Sequence, residues 1–141
     1  MKIFVDTWGW VAVADKKDAY HQEAVNTYNA QVLSDENSLV TSEFVLMETI
    51  THLRQRIGHT RTMKWTNTVL EEESLGNVTI VDAEHSLWRK SFTLLQRYAD
   101  KPEISFVDFT SFVIMQELNI TDVFSGDKHF EQVNLGFKIL R

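Results

Sequence analysis

The chain has 141 residues, the length of one domain, because single domains cluster near about 100–150 residues. Its hydrophobic content of 43% and charged content of 24% are typical of globular proteins and exclude a disordered chain. The absence of cysteine excludes disulfide scaffolds, thiol nucleophiles and cysteine zinc sites. No run reaches the roughly 18 apolar residues of a membrane span, and no signal peptide is recognised. We therefore expect one cytoplasmic domain over residues 1–141, with no membrane contact.

The formal net charge of −6 is the opposite of that of a typical nucleic-acid-binding domain. One segment departs from this balance, because residues 49–70 contain no acidic residue and four basic ones. These are Arg54, Arg56, Arg61 and Lys64. They form either the solvated face of a helix or a patch that holds RNA phosphates without reading sequence. The net charge does not distinguish between these interpretations.

Strands and helices are predicted to alternate along the chain, and this alternation favours an α/β fold. In chain order, the apolar spacing predicts a strand at 2–5, helices at 7–14 and 18–33, a strand at 38–41, helices at 43–57 and 60–75, a strand at 78–81, helices at 83–99 and 105–118, a strand at 122–124, a turn or short helix at 127–132 and a strand at 137–140. We predict a mainly parallel sheet of four to five short strands. Ligands bind such sheets at the carboxyl ends of the strands.

Two acidic residues directly follow predicted strands. Asp6 comes after the first strand, and Asp127 closes the segment that follows the strand at 122–124. Each has a structural alternative, because Asp6 also suits the N-cap of the next helix and Asp127 suits a Ser-Gly-Asp turn. Asp122 lies at the opposite end of its strand, and we interpret it as a turn residue.

Two further acidic residues lie in predicted helices. Glu48 follows four apolar residues, 44–47, which would cover every side of a helical turn, so we expect this turn to be buried and its carboxylate to need a partner. Alternatively, Glu48 reaches water from the edge of its helix. Asp108 suits the third position of a capping box that starts at Ser105. However, the residues four and seven positions after Asp108 are apolar, which favours a buried side.

Carboxylates that cluster repel one another, and burial raises their pKa values. Bound divalent cations relieve both effects, and oxygen ligands favour magnesium or manganese over zinc. The five histidines lack a His-Glu-x-x-His pattern. We therefore predict a site that hydrolyses phosphodiester bonds, with Mg²⁺ or Mn²⁺ held by Asp6, Asp108 and Asp127 and with Glu48 as a fourth catalytic acid. The hydroxyls expected to support it through hydrogen bonds are those of Thr7, Ser111 and Ser125.

Four segments of the chain, in order, resemble the PIN-domain family. They are Val5-Asp6-Thr7, Thr41-Ser42 with the later Glu48, Phe106-Val107-Asp108 with Ser111, and Ser125-Gly126-Asp127-Lys128-His129-Phe130. The resemblance extends over almost the whole chain, and the subgroup it is most similar to is the VapC-like toxins of bacterial toxin–antitoxin pairs.

This resemblance implies an α/β/α sandwich and an endoribonuclease that depends on Mg²⁺ or Mn²⁺. The acids of the family correspond to Asp6, Glu48, Asp108 and Asp127. The subgroup also implies an RNA substrate, a homodimer and a small antitoxin as a partner. The chain departs from the family pattern just before the last acid, Asp127. The family often has Thr and then a large residue there, whereas this chain has Ser125-Gly126. We expect the glycine to make the loop that carries Asp127 more flexible. His129 is expected to be a structural hydrogen bonder.

Two other functions remain open from the sequence. A non-catalytic PIN-like module that binds a protein or RNA would agree with the acidic balance and with the Ser-Gly departure. Divalent-cation binding in the millimolar range distinguishes it from a nuclease. A phosphohydrolase acting on small phosphate esters fits less well, because no Asp-x-Asp pattern follows the first strand.

Overall fold

A computed structural model describes all residues 1–141 as alternating strands and helices. The strands are β1 (Lys2–Val5), β2 (Ser38–Ser42), β3 (Val78–Val81), β4 (Asp122–Phe124) and β5 (Lys138–Leu140). The helices are α1 (Thr7–Ala14), α2 (His21–Thr27), α3 (Glu43–Arg56), α4 (His59–Ser74), α5 (His85–Leu95), α6 (Phe106–Glu117) and α7 (His129–Gln132). None of the helices is both long enough and apolar enough to cross a lipid bilayer.

All five strands are parallel and form one sheet in the order β3-β2-β1-β4-β5. This agrees with the α/β architecture and the parallel sheet expected from the sequence. The central strand β1 is apolar after its first residue, and Ile3, Phe4 and Val5 are each 0% exposed. Burial on both faces is what a parallel sheet between helices requires.

The strand order reverses direction beside β1, and this reversal determines where ligands bind. The chain runs outward from β1 to β3 on one side and then returns to place β4 and β5 on the other. Val5 is paired with Phe124 in the register of β1 and β4, so the residues that follow both strands emerge side by side. Clefts at such reversals are the usual binding sites of open α/β sheets.

Helix α6 anchors the apolar core on one side of the sheet. Phe109, Phe112 and Met115 are at most 1% exposed, and the helix packs mainly against α5. Its first turn carries Asp108 towards the carboxyl edge of the sheet, next to the residues that follow β1 and β4.

The largest differences between the observed and the predicted boundaries occur at two helices. The helix predicted at 18–33 begins only at His21 and ends in a π-helical turn over Tyr28–Val32. The delay has a local cause, because the Asp18 carboxylate accepts a hydrogen bond from the amide of Tyr20 at 2.8 Å, which favours a turn over a helix. Helix α5 covers His85–Leu95 and not 83–99, because turns occupy the segment up to Pro102.

Candidate active site

All four predicted acids line one pocket of about 220 Å³ at the carboxyl edge of the sheet. Asp6 follows β1, Asp127 lies three residues after β4, Asp108 lies in the first turn of α6, and Glu48 lies in the second turn of α3. We call this cavity the acidic pocket; its remaining lining residues are Thr7, Trp8, Val11, Asp18, His52 and Arg56. Four segments far apart in the sequence therefore contribute a carboxylate to the same cavity.

Asp6 occupies the N-cap position of α1, but its side chain makes no capping hydrogen bond. Its Oδ2 accepts a hydrogen bond from the Ser125 hydroxyl at 2.9 Å, and the residue is only 3% exposed. Burial, and secondly the nearby charge of Asp108, raise the pKa of Asp6 to about 7. The side chain therefore belongs to the acidic pocket, and the capping interpretation fails for it.

Asp108 combines the two roles that the sequence left open. It closes a capping box, in which its amide donates to the Ser105 hydroxyl at 3.2 Å and its Oδ2 accepts from the Ser105 amide at 3.3 Å. Asp108 also lines the acidic pocket, and the same Oδ2 lies 2.8 Å from Nδ1 of His129. Burial raises the pKa of Asp108 despite the hydrogen bond with His129, and the charge of Asp127 adds to the increase.

His129 connects the last two acids. Its Nδ1 lies 2.8 Å from Asp108 and 3.1 Å from Oδ1 of Asp127, and its amide donates to that same Oδ1 at 2.9 Å. One potential ligand atom from each of Asp108, Asp127 and His129 lies within 4.8 Å of the other two. The histidine is thus a hydrogen-bonding partner of the carboxylates, as the sequence led us to expect.

The loop of Ser125 and Gly126 is closely packed and not loose, contrary to our expectation. The Ser125 hydroxyl donates to Asp6 and accepts from the amide of Asp127 at 3.0 Å, so it connects two acids of the pocket. A Cβ atom at Gly126 would overlap the indole ring of Trp8. Glycine therefore allows a close contact here, which restricts the loop that carries Asp127.

The other two predicted hydroxyls are not bonded to a carboxylate. The Thr7 hydroxyl lies in the pocket wall and is the one buried side-chain polar atom without a hydrogen-bond partner. Its hydrogen-bonding capacity is therefore unused in this structure. The Ser111 hydroxyl is buried and donates to the backbone carbonyl of Val107 at 3.3 Å, so its contribution is to the helix and not to an acid.

The turn before Glu48 is not buried all round, so this expectation was wrong. Val45 and Leu46 are buried, but Met47 is 53% exposed, because α3 covers the sheet with only one face. Helix α3 begins at Glu43, as the sequence predicted. Glu48 is half-buried and reaches the acidic pocket from the edge of the helix.

Sequence reasoning missed two polar side chains of the pocket, His52 and Asp18. His52 follows Glu48 by one helical turn and Arg56 follows by two, so the three lie on one face of α3. Arg56 donates from Nη1 to the Asp18 carboxylate at 2.8 Å. The spacing of four residues between Glu48, His52 and Arg56 was the signal available in the sequence.

A second cavity, of about 640 Å³, begins where the acidic pocket ends, and Arg56 lines both. Five cationic side chains line it against one acid, Asp15. We call it the basic groove; its cations are Lys16, Lys17, Arg56, Arg61 and Lys64. Arg54 lines neither cavity, because two helical residues correspond to a rotation of about 200° from Arg56. Three of the four predicted RNA-binding residues are therefore brought together, and Arg54 is not.

The donor set of the acidic pocket fits a divalent cation. Carboxylate oxygens dominate it, and burial together with the neighbouring carboxylates raises the pKa values of Asp6 and Asp108, so a bound cation would stabilise their charged forms. The unpartnered hydroxyl of Thr7 adds a further oxygen in the wall. Hard oxygen donors of this kind suit magnesium or manganese.

Comparisons with known proteins agree with this architecture. Residues 3–135 match the family model described as PIN domain. The 23S rRNA-specific endonuclease VapC20 of two Mycobacterium tuberculosis strains is 33% identical over 131 residues, 91% of either chain. The crystal structure of Mycobacterium tuberculosis VapC20, described as a sarcin-ricin loop cleaving toxin, has a TM-score of 0.82 at 29% identity over 96% of each chain. VapBC2 from Rickettsia felis, bound to a promoter DNA fragment, has a TM-score of 0.66 at 14% identity over 99% of this chain and 97% of that chain, a likeness of fold alone.

We predict that Asp6→Asn stabilises the metal-free protein at pH 8. The pKa of Asp6 in the folded state, about 7, lies above its ordinary value of 3.8, so folding retains a proton that unfolding releases. The free energy of unfolding therefore falls as the pH rises between these two values, and the variant avoids that loss. One pKa unit corresponds to about 1.4 kcal/mol, but the variant also loses the hydrogen bond that the Asp6 carboxylate accepts from Ser125. We therefore expect a net gain of about 1–3 kcal/mol at pH 8 and little change at pH 4.

Urea unfolding in the presence of a chelator measures this difference. Asp122→Asn, at the opposite edge of the sheet, is the matched control and is expected to change little. An unchanged or lower stability of Asp6→Asn at pH 8 would contradict the prediction, because it would mean that the ionised Asp6 carboxylate does not destabilise the fold.

Proposed function

The chain belongs to the PIN-domain family, and from this membership we propose that it is a divalent-metal-dependent endoribonuclease that hydrolyses RNA phosphodiester bonds. The observation that carries the proposal is the acidic pocket, in which four carboxylates from distant segments meet. The likeness to VapC20, which is named as an rRNA endonuclease, supports RNA as the substrate.

The residues of the acidic pocket have different roles in the proposed reaction. Asp6, Asp108 and Asp127 would hold Mg²⁺ or Mn²⁺, and a bound cation of this type supplies charge neutralisation of the phosphate and an activated water. Ser125 holds the Asp6 carboxylate, and it also holds the backbone of Asp127. Glu48 faces these acids from α3, and we assign it the orientation of the attacking water.

The basic groove supplies the sequence-independent part of RNA binding. Arg56, Arg61 and Lys64 would contact phosphates that flank the cleaved bond, since such contacts position a nucleic acid without reading its bases. The acidic net charge of the whole chain is compatible with this role, because the cations are concentrated in one cavity next to the acids.

A toxin in a toxin–antitoxin pair is the biological role that the comparisons favour. Mycobacterium tuberculosis VapC20 is described as a toxin that cleaves the sarcin-ricin loop, so ribosomal RNA is the first substrate to test here. We propose that this chain has the same type of role, with a small antitoxin that covers the acidic pocket and with a homodimer as the active form.

RNA cleavage should require added Mg²⁺ or Mn²⁺ and should stop with chelator. Asp6→Asn and Asp108→Asn are each expected to reduce cleavage at least about 100-fold, because each removes a ligand of a multi-carboxylate site. Gel analysis of labelled 23S rRNA fragments measures cleavage, and thermal unfolding with and without Mn²⁺ measures binding independently. Mn²⁺ should raise the unfolding temperature of the wild type but not of these variants.

Asp122→Asn is the control for both measurements and should behave as the wild type does. Full cleavage by a purified Asp6→Asn/Asp108→Asn double variant would refute the assignment. Cleavage that continues in excess chelator would refute the metal dependence, but it would not contradict the proposal that the protein is a nuclease.

Binding through the basic groove should depend on salt. Replacing either Arg61 or Lys64 singly by Gln should weaken the affinity for single-stranded RNA and lower the slope of log affinity against log salt by roughly 0.7 per lost phosphate contact. Arg54→Gln is a matched control that removes one charge outside the groove, and it should alter the slope much less. Fluorescence anisotropy of a labelled oligonucleotide in chelator gives both values, and an equal effect of Arg54→Gln would contradict the proposed groove.

A further inference from the structure

Trp8 is a residue of the acidic pocket to which the proposed reaction assigns no role. It is the second residue of α1, two positions after Asp6, and its partly buried side chain lines the cavity. The indole ring also packs against Gly126, the residue before Asp127. The ring therefore connects α1 to the loop that carries the last acid of the pocket.

Hydrogen bonds leave this loop free at its centre. Strand β4 ends at Phe124, and α7 begins only at His129. The Ser125 hydroxyl and the Asp127 carboxylate each accept a hydrogen bond from an amide of the loop. No hydrogen bond within the chain involves the amide or the carbonyl of Gly126. Packing is therefore what restricts the backbone at this position.

The glycine at position 126 is required by space and not by backbone conformation. The glycines with a positive φ are Gly58, Gly76 and Gly136, so Gly126 has a backbone that other residues can adopt. A Cβ atom at Gly126 would, however, overlap Cε2 and Cζ2 of the Trp8 ring and would lie 2.9 Å from its Nε1. A larger residue would therefore displace either the ring or the loop.

Three neighbours hold the Trp8 ring in its position. The ring meets Phe124 edge-on, with a centroid distance of 6.4 Å and an interplanar angle of 88°. Its centroid lies 5.7 Å from that of the Tyr20 ring, and the guanidinium carbon of Arg141 lies 5.7 Å from the Trp8 centroid. Edge-to-face aromatic pairs and cations over an aromatic ring are both favourable. The ring is thus fixed by residues outside the loop on which it packs.

We propose that Trp8 is a positioning residue, whose ring holds Gly126 and thereby fixes the Asp127 carboxylate in the acidic pocket. This inference rests on the proposed function, because a shared cation needs ligand oxygens from Asp127 and Asp108 close together, as they are here within 4.8 Å. Without a cation the two carboxylates repel each other, and a loose loop would let them separate. Trp8 opposes this separation through packing and contributes no ligand atom.

Amide hydrogen exchange in chelator, followed by NMR, tests the inference without a metal. The amides of Asp127 and His129 donate to Ser125 Oγ and Asp127 Oδ1, and these hydrogen bonds persist only while the loop keeps its shape. Trp8→Ala should accelerate the exchange of both amides roughly tenfold or more, because the loop opens locally. Trp65→Ala is the matched control, since it removes another partly buried tryptophan that does not line the acidic pocket, and it should leave both rates unchanged.

Calorimetric titration with Mn²⁺ measures the consequence for the metal site. Trp8→Ala should weaken Mn²⁺ binding about tenfold, as expected when a residue that orients a ligand is lost, whereas Trp65→Ala should retain the wild-type affinity. Gly126→Ala should also weaken binding, because its methyl group would displace the ring or the loop. The Trp8→Ala/Gly126→Ala double variant should bind no more weakly than Trp8→Ala alone, because the overlap disappears with the ring.

The outcomes separate this inference from the proposed function. Unchanged exchange and unchanged Mn²⁺ affinity in Trp8→Ala would overturn the inference and leave the proposed nuclease intact. Faster exchange at unchanged Mn²⁺ affinity, multiplied losses in the double variant, or equal effects of Trp65→Ala would also overturn it, because the ring would then contribute only to general stability. If the wild type binds no Mn²⁺, the proposed metal site is refuted, and the exchange comparison alone decides the role of Trp8.

Discussion

The repulsion between Asp6, Asp108 and Asp127 is the physical constraint on which the rest of the site depends. Burial of Asp6 and, secondly, the nearby charge of Asp108 raise the pKa of Asp6 to about 7, and the charge of the half-buried Asp127 adds to the increase. The protein compensates only partly, with hydrogen bonds from Ser125 and His129. Buried, clustered carboxylates destabilise the folded state, and an arrangement of this kind is typical of functional sites. Strongly perturbed pKa values concentrate at catalytic and binding sites, where charge is used in chemistry.

The scaffold holds the carboxylates together through the register of two neighbouring strands. Val5 pairs with Phe124, so the residues after β1 and β4 leave the sheet side by side. Close packing behind this edge makes it rigid: a Cβ atom at Gly9 would lie 2.7 Å from the backbone oxygen of Phe124, and one at Gly126 would overlap the ring of Trp8. The positions of the acids are therefore determined by backbone contacts on the strands and their adjoining turns.

The sequence predicted the five strands well, because strands depend on local patterns, and the four acids selected from it line one pocket. Short apolar runs define the five strands, and the acids that follow β1 and β4 are one and three residues beyond them. The prediction failed where side-chain direction matters: Met47 is exposed, Arg54 points away from the basic groove, and His52 lies in the pocket wall. These outcomes depend on which face of α3 packs against the sheet, and an irregular apolar pattern does not specify that face.

Anomalous X-ray scattering from a crystal soaked in Mn²⁺ tests the central claim most directly. If a divalent cation compensates the clustered charges, a Mn²⁺ peak will lie within coordination distance of carboxylate oxygens from at least two of Asp6, Asp108 and Asp127. The coordination distance expected for such hard cations is roughly 2.0–2.6 Å. No peak in the acidic pocket at millimolar Mn²⁺, or a peak bound only elsewhere on the surface, would contradict this account.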